Sequence, residues 1–284
     1  MHYGTADYFR QSEQPPTVRT TIDSPEAAIY PVLFRIGDFE VTSFGVLVAL
    51  GALVGLRMLD RECRRSGLPA NTVDAGLAGI VGGLAGAKII WAIEHAGREG
   101  PFLDLLLSRG GLSWFGGFAG GLAAGIAVLR RHRVPVMAVL AAATPALAVA
   151  HAIGRVGCFL VGDDYGVPSH LPWAVAFPEG LPPTTVPVHP TQLYEAVVLL
   201  PIAWRLYRWR RQGKPDAFVL GAYLVMTGLT RFLIEFIRWR QPLFGPFAVA
   251  HVLAFVAMCV GAGLLTKARR APGSGLQAPD VGRN

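Results

Sequence analysis

Apolar residues fill this chain in long stretches, broken by short polar connections. A helix that crosses a bilayer needs about 20 mostly apolar residues. Seven stretches approach that length: 41–59, 73–93, 111–129, 134–153, 191–207, 217–237 and 244–265. The first and fifth are short or interrupted by polar residues. The pattern predicts an all-α integral membrane protein with seven transmembrane helices.

The basic residues alternate along those stretches. Arg57, Arg61, Arg64 and Arg65 lie at the end of the first, and Arg130, Arg131 and Arg133 follow the third. Arg205, Arg208, Arg210, Arg211 and Lys214 end the fifth, and Lys267, Arg269, Arg270 and Arg283 follow the seventh. Arginine and lysine concentrate on the cytoplasmic side of membrane proteins. The alternation therefore predicts the N-terminus outside, the C-terminus in the cytoplasm and the connection 154–187 outside. Residues 1–30 are polar, without the apolar core of a signal peptide. They read as a disordered outer tail, or as sequence ahead of a later start. Residues 31–266 form the seven-span domain, and 267–284 a disordered cytoplasmic tail rich in Pro, Gly and Ala.

Composition narrows the classes. Apolar residues make up 52% of the chain and charged residues 16%, yet the net charge is +7. Soluble domains carry about 25% charged residues, so the positive balance is a topology signal and not a nucleic-acid footprint. The 34 glycines include Gly82/Gly86, Gly116/Gly120 and Gly117/Gly121, spacings that let helices approach closely. Cys63, Cys158 and Cys259 fall in an inner loop, an outer loop and a span, so no disulfide is expected. The histidines and cysteines lack zinc spacing, so no metal is expected.

Ionisable residues inside spans mark functional sites by default. In the sixth stretch Arg231, Glu235 and Arg238 are spaced by four and three, which puts them on one helix face. That predicts two arginines bridged by one carboxylate, with net positive charge left for a phosphate. After the fourth stretch, Gly154, Gly157, Gly162 and Gly166 surround Arg155, Asp163 and Asp164. The glycines predict irregular backbone there, which is tolerated at membrane depth only inside protein or along a cavity. The fifth stretch opens with His189, Gln192, Tyr194 and Glu195. Arginines hold phosphates through paired hydrogen bonds, and a histidine or carboxylate can remove a proton from a nucleophile. The chemistry suggested is group transfer from an anionic phospholipid. A transporter with ions at broken helices is the alternative, although spans one to three and five to seven share no obvious motif.

Six strings in order resemble the prolipoprotein diacylglyceryl transferase family, a bacterial inner-membrane enzyme family. They are the extended lead-in 31–37, Gly86-Ala87-Lys88, Gly110 to Gly117, Gly154 to Gly166, His189 to Glu195, and Arg231 to Arg238. The resemblance implies transfer of a diacylglyceryl group from phosphatidylglycerol to the lipobox cysteine thiol of exported prolipoproteins, the first step of lipoprotein maturation. It implies a multi-pass protein of the inner membrane with its site toward the outer leaflet, partners limited to phosphatidylglycerol, prolipoprotein signal peptides and membrane lipids, no nucleic acid and no cofactor. Arg231, His189, Asp163 and Glu235 would be catalytic. Arg155, Arg238, Glu195, Gln192, Tyr194 and Lys88 would bind substrate. Arg155 would hold the lipid phosphate and Arg231 the departing glycerol phosphate.

The chain departs from the family pattern in its polar shell. Phe115 stands where the family often has a histidine, and Phe44 where it often has a tyrosine. Cys158 and Val161 replace asparagines, Asp163 a glutamate and Lys88 an arginine. Phenylalanine cannot accept a proton, so the base is expected at His189 or Asp163, with Asp164 next. A diverged paralogue that uses another acceptor, or that only binds lipid, is the other reading of these changes.

Overall fold

The structure, a computed structural model, describes residues 32–37, 39–108, 111–239 and 247–270. The expected outer tail, residues 271–284, Gly110 and the start of the seventh stretch lie outside the described residues, whereas 267–270, expected in the disordered tail, are helical. Eight helices carry the described fold: α1 Ser43–Arg65, α2 Thr72–His95, α3 Phe102–Leu107, α4 Trp114–Arg131, α5 Val136–Val161, α6 Thr191–Arg211, α7 Asp216–Ile234 and α8 Val249–Arg270. Two antiparallel ribbons accompany them, β1 Val32–Ile36 with β2 Phe39–Thr42, and β3 Val175–Phe177 with β4 Thr184–Val188. The ribbons and the short α3 were not expected from the hydrophobic pattern. Five helices, α1, α2, α5, α7 and α8, are long and apolar enough to cross a membrane.

The surface of these helices is apolar and the interior small. Leu53, Val81, Leu84, Val197 and Phe255 are exposed, whereas Ala141, Ala142, Ala146, Ala148 and Ala152 of α5 are buried. Small inward residues let backbones approach where no hydrophobic force drives helices together. α5 is thus the central helix, packed on α1, α6 and α7. Its alanines meet Leu199, Ile202, Ala203 and Leu206 of α6, and Val219 and Ala222 of α7.

Two boundaries differ from the sequence expectation, and both matter for the site. The backbone from Gly154 to Val161 is regular helix, not irregular: α5 continues through the glycines and ends at Gly162, which adopts φ 66° as a left-handed cap. Gly157 is kept in the helix by packing, since a Cβ there would lie 3.3 Å from the Phe44 ring of α1. At the other boundary α7 ends at Ile234. Arg238 therefore leaves the helix and pairs in a β-bridge with Gly166, and it does not share a helical face with Arg231.

α2 and α4 form the closest helix pair. A Cβ on Gly86 would lie 2.4 Å from the Gly116 carbonyl oxygen, and one on Gly120 2.4 Å from the Gly82 carbonyl oxygen. The spacings read from the sequence are the contact itself. Gly120→Val should force the two backbones apart and destabilise the protein by about 1–3 kcal/mol, the usual cost of overpacking. Gly263→Ala on α8, where a Cβ meets open space, should be neutral or slightly stabilising. Thermal unfolding in detergent would compare the two, and equal midpoints would refute a backbone-contact interface.

Candidate active site

Three helices bring their polar ends together. Arg155 lies near the end of α5, Glu195 in the second turn of α6, and Arg231 in the last turn of α7. Arg155 Nε lies 2.6 Å from Glu195 Oε2, and Arg231 Nη1 lies 3.4 Å from Glu195 Oε1. Arg231 Nη2 lies 3.1 Å from Glu235 Oε2. Arg155 Nη1 lies 3.0 Å from Asp164 Oδ2, and Arg238 also pairs with Asp164. The order Arg238–Asp164–Arg155–Glu195–Arg231–Glu235 is thus one continuous chain of alternating charge.

This differs from the expected positive face. Three arginines meet three carboxylates, and two of the carboxylates come from elements the helical spacing could not reveal. Arg231 and Glu235 do pair as predicted, but Arg238 turns to Asp164. Exposure differs along the chain: the side chain of Glu195 is 3% exposed, Arg155 11% and Arg238 9%, against 29% for Arg231 and 42% for Asp164. Arg231 is the arginine with an open side. Burial pushes the Asp164 carboxyl up, but Arg238 and then Arg155 outweigh it and hold it at about 2.

The segment after α5 is pinned from both sides. Gln192 Nε2 donates to the Asp163 carbonyl at 2.5 Å, and Thr191 Oγ1 to the Asp164 carbonyl at 2.8 Å. Gly166 N–H donates to the His189 carbonyl, and Val167 N–H to that of Ile237. These bonds hold Asp164 at φ 60°, a conformation that Asp tolerates better than most residues. Gln192 is fully buried, so it supports the wall and does not reach outward.

The other expected residues have distinct surroundings. Burial, and then the neighbouring Asp164 charge, raise the Asp163 carboxyl above its usual range. Its Oδ1 is buried and has no hydrogen-bond partner among the described residues. His189 Nδ1 and Tyr194 Oη lie 3.3 Å apart, and Trp173 Nε1 donates to the same Oη at 2.8 Å. Lys88 belongs to another cluster. Its Nζ donates to Ser108 Oγ at 3.0 Å and lies 4.6 Å from the Trp91 ring centre. A cavity of about 370 Å³ opens nearby between α2 and α4, against Ala87, Ser113, Trp114 and Phe118. Cys158, Asp163 and Asp164 gather ligand atoms within 4.8 Å. Arg155 Nη1, 3.5 Å from Cys158 Sγ and hydrogen-bonded to Asp164, puts a positive charge where a cation would need to be.

Sequence reasoning passed over His151. It lies four residues before Arg155, the spacing of one helix face, and that spacing was the available signal. Its side chain is exposed, and it lies in electrostatic range of Glu195, Arg155 and Arg231.

Comparison with known proteins places this geometry. The family model described as prolipoprotein diacylglyceryl transferase matches residues 31–267. The chain is 32% identical over 249 residues to the phosphatidylglycerol--prolipoprotein diacylglyceryl transferase of Geobacter sulfurreducens, covering 82% of this chain and 93% of that one. It is 28% identical to the enzyme of that name from Clostridium tetani, over 73% of this chain and 85% of the relative. For the namesake from Synechococcus elongatus the identity is 29%, over 81% and 84%. Every polar string that builds the charge chain lies inside the matched segment, and this chain belongs to the prolipoprotein diacylglyceryl transferase family.

Proposed function

We propose that the chain transfers the diacylglyceryl group of phosphatidylglycerol to the cysteine thiol of exported prolipoproteins. Family membership supports the reaction, and the alternating charge chain supports the placement of its parts. The carrying observation is Arg231: a guanidinium held by two buried carboxylates, with one side left open.

The bond changes define what the site must do. The thiolate attacks the glyceryl carbon that bears the phosphate ester, forming a C–S bond as the C–O bond breaks. The electron pair leaves with the phosphate oxygen as glycerol phosphate. Arg155, fixed by Glu195 and Asp164, meets the phosphate of the incoming lipid. Arg231 meets the charge that grows on the leaving oxygen, where preorganised donors act most strongly. Glu195 and Glu235 keep that guanidinium aimed, so little reorganisation is needed during the reaction. Arg238 anchors Asp164, which fills the arginines' hydrogen-bonding capacity until a phosphate takes its place. His189 and Tyr194 line the opening of α6, and Asp163 with Gln192 fixes the wall behind Asp164. Lys88, beside the α2–α4 cavity, offers a second positive contact for lipid.

The protein is proposed to cross a bacterial inner membrane seven times, with 1–30 outside and 267–284 in the cytoplasm. Supporting this, α1, α4, α6 and α8 all end in arginine or lysine. The charge chain lies at the opposite ends, the C-terminal end of α5 and α7 and the N-terminal end of α6. α4 and α6 complete the seven, although their charged ends keep them below the hydropathy of the other five.

Four measurements test this reading. The purified protein in phosphatidylglycerol vesicles should convert a lipobox peptide to a thioether-linked diacylglyceryl adduct, read by mass spectrometry; lipid binding without adduct would favour a binder. Arg231→Gln should lower kcat by about 10²–10³-fold, the usual loss for one charge-stabilising donor. In Arg155→Gln the larger effect should fall on KM for the lipid; the reverse pattern would exchange the two roles. Glu195→Gln should destabilise the protein by about 3–5 kcal/mol, because it leaves two arginines facing each other without their shared carboxylate. Thermal unfolding checks this, and an unchanged midpoint would refute it.

A further inference from the structure

The reaction needs a group that takes the thiol proton, and the arrangement of the site limits the choice. Glu195 and Glu235 are buried against arginines, and Asp164 is bound by two of them. Asp163 Oδ1 is closed off by protein. The Nδ1 of His189 is engaged with Tyr194. The position where the family often carries a histidine is Phe115, which is exposed beside Trp114 on α4.

From the geometry we propose that His151 is the proton acceptor for the incoming thiol, an assignment that rests on the transferase reading above. Three observations meet at this residue. His151 and Arg155 sit one turn apart on the same face of α5, so the helix that fixes the phosphate also fixes the imidazole. The ring is exposed and makes no hydrogen bond with any described residue, so a substrate thiol can reach it. It lies in electrostatic range of Arg231 without touching it. The base and the arginine of the leaving oxygen are thus separate groups, as a displacement requires.

The step balances without a co-reactant. An imidazole nitrogen of His151 takes the proton from the thiol, the sulfur electrons form the C–S bond, and the C–O electrons leave with the phosphate oxygen. The imidazolium then stands near the Glu195 carboxylate, which favours it. The charged groups around the ring are Glu195 from α6, Arg231 from α7 and Arg155 from α5 itself. From α1 and α4, the other helices in contact with α5, no charged group comes into that range among the described residues.

The test uses the full chain in phosphatidylglycerol vesicles with a lipobox peptide and compares wild type with His151→Gln. The variant should lose about 10²–10⁴-fold in kcat, the span of general-base contributions, with KM for lipid and peptide little changed. Its deficit should shrink as pH approaches about 8.5, where a free cysteine thiol ionises unaided. Wild-type transfer that survives in His151→Gln overturns the inference alone and returns the proton to His189 or Asp163. A loss carried by KM, or one equally deep at all pH values, also overturns it, because it would mark a packing role. If the wild-type chain forms no adduct, the transferase reading itself falls and takes the base with it.

Discussion

Everything at this site depends on one carboxylate gripping two guanidinium groups. Glu195 meets Arg155 on one oxygen and Arg231 on the other. A carboxylate accepts at about four lone-pair positions, so a single buried one can hold two arginines at a fixed spacing. At a water-exposed surface such pairs contribute little. Here Glu195 is buried, and removal of one partner strands charge in a low-dielectric interior. The three residues come from α5, α6 and α7, so the pairing fixes the helices and the charges together. Glu235 and Asp164 extend the same logic outward. The result is a neutral array whose members still present donors on the open side of Arg231. In the proposed reaction a phosphate enters by exchange with Asp164, without first gathering dispersed positive charge.

The far end of the same helices is clamped in a comparable way. Arg210 of α6 meets Glu62 of α1 at 3.0 Å and Asp216 of α7 at 2.5 Å, and it donates to Ser66 at 2.7 Å. Arg210 counted in the sequence as one more cytoplasmic charge; in the fold it is a buried cross-link between helices. α6 and α7 are thus held at both ends by ion pairs, and between those ends they pack on the alanines of α5. α2 and α4 are joined differently, backbone against backbone through glycines, with Lys88 and the apolar cavity at their border. The rigid charged trio and the glycine-packed pair are two different constructions, the first suited to fixing charge and the second to close backbone contact beside an apolar cavity.

The hydrophobic pattern revealed the long helices closely because span length is set by bilayer thickness, a constraint written residue by residue. It misplaced the end of α5 because glycine carries an intrinsic helix cost of about 1 kcal/mol that packing against Phe44 offsets, and packing partners are distant in sequence. It misplaced Arg238 because helical spacing assumes that a helix continues, and α7 stops at Ile234. The expected surplus of positive charge vanished for the same reason: Glu195 is 36 residues before Arg231, and only the fold brings them together. Arg155, Arg231, Glu235 and Glu195 were legible as chemistry, because each is an ionisable residue in an apolar setting. Their order of pairing was not.

The departures from the family's polar shell acquire a physical sense in this arrangement. Phe44 packs on Gly157, and Cys158 and Val161 are buried on the same stretch of α5. Cys158 and Val161 give the end of α5 small buried side chains, and Arg155 Nη1 lies 3.5 Å from Cys158 Sγ. Charges beside such side chains interact more strongly than they would beside hydrated asparagines or a tyrosine hydroxyl. The exposed members of the site are Arg231, Asp164 and His151. Three arginines balanced by three carboxylates leave no unpaired charge among helices this apolar, where a lone ion is costly.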